Sequence, residues 1–383
     1  MSWKECDQVS LRREFVCLAS VEGSNMSALC LRFGIARKTG YKWLKRYRLE
    51  GESGLVDQSR RPHHLRTPTS AEREQRVLAI RSAHPSWGGR KIHRRLKNLG
   101  VTSPPSPSTI TQILHRHGRI SPEESLKHQP IQRFEYPEPN DLWQMDYKGE
   151  FKMTNGHWCY PLTLLDDHSR FSLVLRACRN QQRTTVEEQL KHVFRLYGLP
   201  KAMLMDNGSP WGVSHSPGCY TRLAAWLLRL DIRVIHGRPY HPQTQGKEER
   251  FHRTLKTEVL RGHFFDDLKH VQSRFDPWRE VYNHERPHEA LGLDVPSSRY
   301  RVSPREYPER LPAIEYASDL EVRKTNRVGQ LRFRGQVYKI SEAFGCQSIG
   351  LRPTQKDGVW KIYYCHQGIG QLNLQTGKVE RIT

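Results

Sequence analysis

The hydrophobic texture of residues 141–261 passes from strand to helix in an order that few folds accommodate. Residues 142–151, 160–166 and 171–176 read as three successive strands, with turn signals at Asn155-Gly156 and at 167–170. A helix over 185–197 follows, with Val186, Leu190, Val193, Phe194 and Tyr197 along one side. A short strand (202–205), a helix (220–230), a strand (232–236) and a helix from 246 to about 261 complete the series. The order predicts a mixed sheet covered by helices.

Carboxylates sit at informative points of that series. Asp146 lies within the first strand and Asp206 ends the fourth, while Glu248 and Glu249 open the last helix after a Pro- and Gly-marked loop. Strand centre, strand end and helix start can converge on one point. Clustered carboxylates repel one another unless a divalent cation joins them, and hard oxygen ligands with room for phosphate oxygens and water suit Mg²⁺, with Mn²⁺ able to substitute. Two such ions activate a nucleophile and stabilise the leaving oxygen of a phosphodiester. At about 100° per residue, Glu248 shares a face with Phe251, Leu255 and Val259, and Glu249 with His252, Arg253 and Lys256. A carboxylate beside cations suits an active-site edge where DNA lies, which favours Glu249 as the ligand.

Other polar residues of this region have more than one reading. Asp166 and Asp167 end a strand at a turn, where a structural role, capping the loop and pairing with Arg170, fits better than catalysis. His215 and His241 suit metal ligation, proton transfer or phosphate contact; Asn207 and Gly208 shape the loop after Asp206. Gln243, Lys247, Arg253 and Lys256 are candidate DNA contacts, with a solvated helix face as the alternative for the last two.

The charge balance explains why DNA is considered. The chain has 62 Lys/Arg against 40 Asp/Glu, a formal net charge of +22, which favours a polyanionic partner. Residues 1–118 hold 22 of the cations against 9 acids, so the search for DNA contacts starts there. Helical spacing over 11–20, 26–33 and 36–49, with glycines at 23 and 34, follows the helix-turn-helix plan, whose last helix enters the major groove. Arg37, Lys38, Thr39 and Lys42 lie near the start of that helix as DNA contacts; Tyr41, Leu44 and Tyr47 are expected to face the core or the DNA backbone.

A second set of three helices follows. Thr69 and Glu72 have capping-box spacing, Ile92, Leu96 and Leu99 line a helix ending near Gly100, and 109–115 forms a third around Ile110, Ile113 and Leu114. Arg90 and Lys91 are its candidate DNA contacts. Arg60 and Arg61, in an extended linker between the two sets, suit either a minor groove or plain solvation.

Several classes are disfavoured. No apolar run approaches the roughly 18 residues of a membrane span, and residues 1–10 lack the apolar stretch of a secretory signal. The eight cysteines are scattered without a CxxC, which predicts reduced thiols in a cytoplasmic protein and neither a disulfide framework nor a structural zinc site. Beyond the core, residues 266–310 are expected to brace it with a helix and an extended arm. From about residue 320 the alternation of Leu331 and Phe333 with Arg332 and Arg334, and Asp357-Gly358 before 359–364, predict a small β-barrel.

Five stretches, LWQMDYKGEF, LLDDHSRF, FRLYGLPKAMLMDNGSPW, HPQTQGKEERFHRTLKTEVL and YNHERPHEALGLDVPSSRY, resemble in order the DDE transposases of the bacterial insertion-sequence type, which have a retroviral-integrase-like core. GLVDQSRRPHH and HPSWGGRKIHRRL resemble the same family, so the likeness covers most of the chain. The resemblance implies a multidomain α and α/β protein: tandem helix-turn-helix domains, a ribonuclease H-like mixed-sheet core and a small C-terminal β-barrel. It implies Asp146, Asp206 and Glu249 as metal ligands. The 42 residues between Asp206 and Glu249 exceed the spacing in many relatives, and the excess is assigned to 211–218.

The expected divisions are 1–58 (helix-turn-helix), 59–69 (basic linker), 70–119 (second helix-turn-helix), 120–140 (linker), 141–265 (catalytic core), 266–315 (bracing segment) and 316–383 (barrel). The implied activity is hydrolysis at the ends of a mobile element followed by strand transfer to target DNA. It uses two Mg²⁺ ions, forms no covalent enzyme–DNA intermediate, and occurs in a homo-oligomer assembled on double-stranded DNA, with no membrane partner. The rivals are a catalytically idle domesticated transposase that only binds DNA, which need not keep three acids, and a ribonuclease, which two upstream DNA-reading units disfavour.

Overall fold

The computed structural model describes residues 8–57, 69–120, 135–212, 220–236 and 246–380. It divides into two compact units, 1–68 and 69–383. The first contains α1 (Gln8–Ala19), α2 (Met26–Arg32) and α3 (Arg37–Glu50). Asn25 starts α2 by accepting the N–H groups of Ser27 (3.0 Å) and Ala28 (3.2 Å). Phe15, Val16, Cys30, Trp43, Leu44 and Leu55 form the core of this unit. Gly40 allows α3 to approach closely, since a Cβ there would lie 2.7 Å from Cys30 Sγ and 2.8 Å from the Phe15 ring. The buried stripe of α3 runs Gly40, Trp43, Leu44 and leaves Tyr41 exposed. Of the two expectations for Tyr41, the core is ruled out because Tyr41 stands one residue off that stripe.

The second unit opens with α4 (Ala71–Ala83), α5 (Gly89–Asn98) and α6 (Pro107–Arg116), packed around Val77, Trp87, Ile92, Leu96, Ile110 and Leu114. The helix at residue 71 starts where expected, but its N-cap is Ser70, which makes no side-chain cap bond. The Thr69–Glu72 pair is thus one position out of frame for a capping box. Helix α6 begins two residues earlier than its apolar spacing suggests: Ser106 accepts the Thr109 N–H (3.2 Å) and Pro107 takes the first helical position. Leu99 is exposed at the end of α5 instead of lining it.

A mixed sheet follows, of β1 (Trp143–Tyr147), β2 (Phe151–Lys152), β3 (Trp158–Asp166), β4 (Ser172–Cys178), β5 (Ala202–Met205) and β6 (Arg233–His236). Its order is β2-β3-β1-β5-β6, with β4 also paired to β3. Strands with no helix between them pair antiparallel (β1 with β3, β3 with β4), and those separated by a helix pair parallel (β1 with β5, β5 with β6). Helices α7 (Arg183–Tyr197) and α8 (Arg222–Arg229) cover one face, around Trp143, Met145, Leu164, Phe194, Met203 and Leu227. Helix α9 (Gly246–Leu255), extended by a π-helical turn at Lys256–Leu260, and α10 (Leu268–His284) cover the other through Leu165, Leu175, Phe251, Leu255, Phe275 and Tyr282.

After α10 an extended arm stacks Tyr300 on Phe171 (ring centroids 4.4 Å apart) and donates from Arg305 to the carbonyls of Pro200 (2.6 Å) and Leu230 (2.9 Å). The C-terminal part takes the form of antiparallel sheets around a shared core of Leu331, Phe333, Phe344, Ile349, Leu351 and Ile362. One sheet has the order β13-β12-β11-β10-β7: β7 (Glu321–Lys324), β10 (Ser348–Pro353), β11 (Val359–Tyr364), β12 (Gln367–Asn373) and β13 (Lys378–Glu380). The other pairs β8 (Gln330–Phe333) with β9 (Gln336–Lys339). Ala225 and Leu228 of α8 enter the same core, which fastens these sheets to the mixed sheet. No described helix is long and apolar enough to cross a membrane.

Candidate active site

Strand β1 buries Trp143 and Met145 on one face, so Gln144 and Asp146 point to the other. Asp146 stands opposite Thr163 of β3, whose hydroxyl lies 2.9 Å from the Asp146 carbonyl oxygen. The same hydroxyl is 3.0 Å from Glu248 Oε2 and 2.8 Å from His252 Nε2, which ties the first turns of α9 to β1 and β3. Asp206 follows the fully buried β5, the parallel neighbour of β1, and is itself exposed; its Oδ1 accepts the Asn207 N–H (2.6 Å). The turn beyond it is tight: a Cβ on Gly212 would lie 2.4 Å from the Asn207 carbonyl oxygen.

The two glutamates part company. Glu248 lies on the apolar stripe with Phe251, Leu255 and Val259 and is buried, whereas Glu249 is exposed. Burial, reinforced by the nearby charge of Asp146, pushes the Glu248 carboxyl well above the usual carboxylate range, and its Oε1 has no hydrogen-bond partner among the described residues. Asp146 is pushed up to about 6, by burial first and then by the negative charges of Asp206 and Glu249. That pair of influences brings Asp146, Asp206 and Glu249 into one local field.

None of those three makes an ion pair among the described residues, and the nearby charge of Lys148 offsets only part of the repulsion on Asp146. This donor set suits a hard divalent cation, whose charge would offset the repulsion raising Asp146. Among the described residues no group of three or more His, Cys, Asp or Glu side chains is placed so that it could hold a metal ion.

Asp166 and Asp167 are the contrasting case. Asp166 accepts from the N–H of Asn140 (2.7 Å) and from Ser169 N–H (2.8 Å) and Oγ (2.5 Å). Asp167 accepts from Tyr136 N–H (2.8 Å) and Gln144 Nε2 (2.6 Å), and pairs with Lys247. Both are buried in a turn-and-strand scaffold. The expected pairing with Arg170 is not made; Arg170 donates to Glu135 (2.8 Å) instead, because the protein's own N–H groups already fill the aspartates.

The DNA-contact candidates divide similarly. Arg37, Lys38 and Lys42 are exposed on α3 and Thr39 is half-buried; Arg253 and Lys256 are exposed on the face of α9 that carries Glu249. Lys247 is a correction. It faces inward and pairs with buried Asp167, and burial lowers its ammonium despite that partner. Arg90 and Lys91 are corrected in part, since α5 turns toward the core: Arg90 is exposed but 3.6 Å from Glu289, and burial pushes half-buried Lys91 down to about 8. Arg60, Arg61 and Gln243, with His215, His241 and most of the 211–218 loop, lie outside the described residues.

Sequence reasoning did not single out Lys148, Thr163 or the role of His252. Lys148 is lowered by burial and by the charge of Lys256, while Asp146 acts in the opposite sense, so two cations stand near the first acid. Burial, then Lys148, pushes His252 down to about 3, which keeps it neutral at ordinary pH. The signal that could have found Lys148 is its place just past the end of the strand that carries Asp146.

Residues 137–242 and 230–296 match the integrase core domain, 11–63 a helix-turn-helix domain, 39–114 a homeodomain-like domain, and 320–380 the C-terminal domain of IS481 family transposases. The chain is 25% identical over 264 residues to an uncharacterized 39.2 kDa protein of insertion element IS476 from Xanthomonas euvesicatoria, covering 66% of this chain and 71% of that one. It is 24% identical over 251 residues to an uncharacterized 31.7 kDa protein of insertion element IS407 from Burkholderia multivorans, covering 63% and 87%. Among solved structures, the HTLV-2 integrase catalytic core domain in complex with magnesium aligns with 12% identity and a TM-score of 0.32, over 43% of this chain and 99% of that one. A helix-turn-helix domain, an integrase core and an IS481-type C-terminal domain follow one another in one chain, and proteins of two insertion elements are similar to it. The chain carries an integrase core domain followed by a C-terminal domain of the IS481 family transposase type, and it is similar to insertion-element proteins.

Proposed function

We propose that this chain is a transposase that binds the ends of a mobile element and catalyses phosphodiester hydrolysis followed by strand transfer, with Asp146, Asp206 and Glu249 as its metal ligands. The observation that carries the reading is the field around Asp146. Two other carboxylates act on it, one from the end of β5 and one from the start of α9, and none of the three has an ion-pair partner among the described residues. Two Mg²⁺ ions, with Mn²⁺ as substitute, would supply Lewis-acid activation of the attacking oxygen and charge for the leaving one. The protein's own residues hold the reacting strand. Lys148, Lys256 and Arg253 present positive charge beside the acids, where phosphate oxygens would lie.

In the first step a water oxygen displaces the 3′ oxygen at phosphorus: one P–O bond forms as another breaks, and the released 3′ oxygen takes a proton. In the second, that 3′-OH displaces a 3′ oxygen of target DNA, so the element end gains the new P–O bond and the target strand is cut. The divisions set out from the sequence assign end binding to residues 1–58 and 70–119 and chemistry to 141–265. Because two ends are joined to one target, the working form is a homo-oligomer assembled on DNA, and the protein's cellular place is with DNA.

The test is strand cleavage and joining by purified protein on duplexes carrying the sequences that flank its gene, in Mg²⁺ or Mn²⁺, beside Asp206→Ala. Metal-dependent joined products that vanish in the variant, with end binding retained, support the reading. Unchanged cutting by Asp206→Ala would remove the site assignment. Tight end binding without cleavage in either metal would favour a domesticated DNA-binding protein.

A further inference from the structure

Strand β3 turns alternate residues to the two faces of the sheet. Leu162 and Leu164 enter the core under α7 and α8, while Cys159 and Leu165 enter the one under α9 and α10. Thr163 stands on the second face and is fully buried, a hydroxyl in a place that otherwise calls for an apolar side chain. Valine has the same shape and would fill that place with no polar group to satisfy. A buried hydroxyl is costly unless it is hydrogen-bonded, so the reason for this one lies in its partners.

Those partners come from two elements. Thr163 Oγ1 lies 2.9 Å from the Asp146 carbonyl oxygen on β1, and 2.8 Å from His252 Nε2 and 3.0 Å from Glu248 Oε2 on α9. A hydroxyl has one hydrogen and two lone pairs, so three neighbours use its full capacity. The carbonyl can only accept and takes the hydrogen. The lone pairs face His252 and Glu248, the latter in the neutral acid form that burial favours. Glu248 and His252 stand one turn apart on α9, and Glu249 lies between them.

The apolar attachment of α9 is of a different kind. Phe251 and Leu255 share a core with Leu165, Leu175 and Phe275. Such packing chooses the side of the helix that faces the sheet, but it is non-directional. Hydrogen bonds weaken steeply when misaligned. Thr163 therefore supplies a directional link between the helix that carries Glu249 and the strand that carries Asp146. It uses the main chain of Asp146 and leaves the carboxylate alone, whose Oδ1 accepts the Tyr147 N–H (2.8 Å).

Resting on the reading of Asp146, Asp206 and Glu249 as metal ligands, we propose that Thr163 is a positioning residue for the reaction. Its hydroxyl locks the first turns of α9, through His252 and Glu248, to the Asp146 main chain, and so sets Glu249 against Asp146 without touching either carboxylate.

The test compares the purified full chain with Thr163→Val, which keeps the shape and removes the hydroxyl, and Thr163→Ser, which keeps the hydroxyl. On duplexes carrying the sequences that flank the gene, Thr163→Val should slow cleavage of bound ends about 10–100-fold in Mg²⁺ while end affinity stays at the wild-type value. Without metal or DNA, it should speed deuterium exchange of the amides of residues 246–255 and leave the strands of the mixed sheet protected. Thr163→Ser should restore both. His252→Leu removes the other end of one bond, so it should slow cleavage to a similar extent, and the double variant should lose no more than either single change.

Wild-type cleavage by Thr163→Val would overturn the proposal alone. So would slowed cleavage with wild-type exchange over 246–255, or losses that multiply in the double variant. Loss of protection across the whole sheet would make Thr163 part of the scaffold and overturn it too. A wild-type chain that binds ends but cleaves in neither Mg²⁺ nor Mn²⁺ would overturn the reading of the three acids, and this proposal with it.

Discussion

Two sets of carboxylates lie within one sheet and its covering helix, and their surroundings are opposite. Asp166 and Asp167 are buried and have their oxygens occupied by backbone N–H groups, Ser169, Gln144 and Lys247. Asp146, Asp206 and Glu249 are half-buried or exposed, and among the described residues Asp146 and Asp206 each accept only the next residue's own N–H. Buried polar groups must be satisfied by the protein, because leaving one unpaired costs about 1–3 kcal/mol or more if charged. Acids whose oxygens are already filled hold the scaffold. Acids left in mutual repulsion are available to something the protein has yet to bind.

The largest effect expected from this contrast is on catalysis. Asp146→Asn should lower strand cleavage by at least about 10³-fold, roughly 4 kcal/mol of barrier. Its thermal midpoint should stay level or rise, since a carboxylate disfavoured by burial and like charges is neutralised. A fall in the midpoint as large as that of a core mutant would place Asp146 with the structural acids. Asp167→Ala should reverse the pattern, losing about 3–5 kcal/mol in denaturant unfolding because Lys247 is left half-buried without its counter-charge and Gln144 without its acceptor. A stable but inactive Asp167→Ala would blur the two classes.

Glu258 sharpens the comparison through pH. Burial raises its carboxyl, but Arg286 (3.1 Å), Ser86 and Trp278 (2.9 Å) outweigh burial and hold it below the ordinary carboxylate range. A carboxylate lowered in the folded state contributes stability above its unfolded pKa, near 4.5, and loses it as pH falls through the folded value. Wild-type stability measured by urea unfolding should therefore decline below about pH 4.5 more steeply than that of Glu258→Gln, and equal slopes would dissolve the inference. At the smallest end, Glu309→Gln breaks only the solvent-exposed pair with Arg195 (2.6 Å) and should leave the unfolding midpoint unchanged within error.

Much of this was legible before any coordinates. The element order of the core was readable because buried strands and amphipathic helices carry distinct hydrophobic periods. Ala202–Met205 was bounded correctly from four apolar residues ahead of Asp206. The separation of Glu248 from Glu249 was readable because helix phase places one of them with Phe251 and Leu255. Caps were less legible: Ser106-Pro107 carried a start signal that the apolar spacing of α6 obscured, and the Thr69–Glu72 pair imitated one that the chain does not use.

The sequence by itself determined the kinds of element, their order and which side of each is apolar, since these follow from neighbours three or four residues apart. It also carried the family's motifs in order. Only the tertiary structure decided what each charge does. Lys247 and Lys256 are both basic residues of one helical segment, yet the first meets a buried aspartate 80 positions earlier and the second stays in water. Arg95 likewise meets Glu285 across 190 positions. A charge takes its role from the partner and solvent access that the fold supplies, and for these residues the partner is remote in sequence.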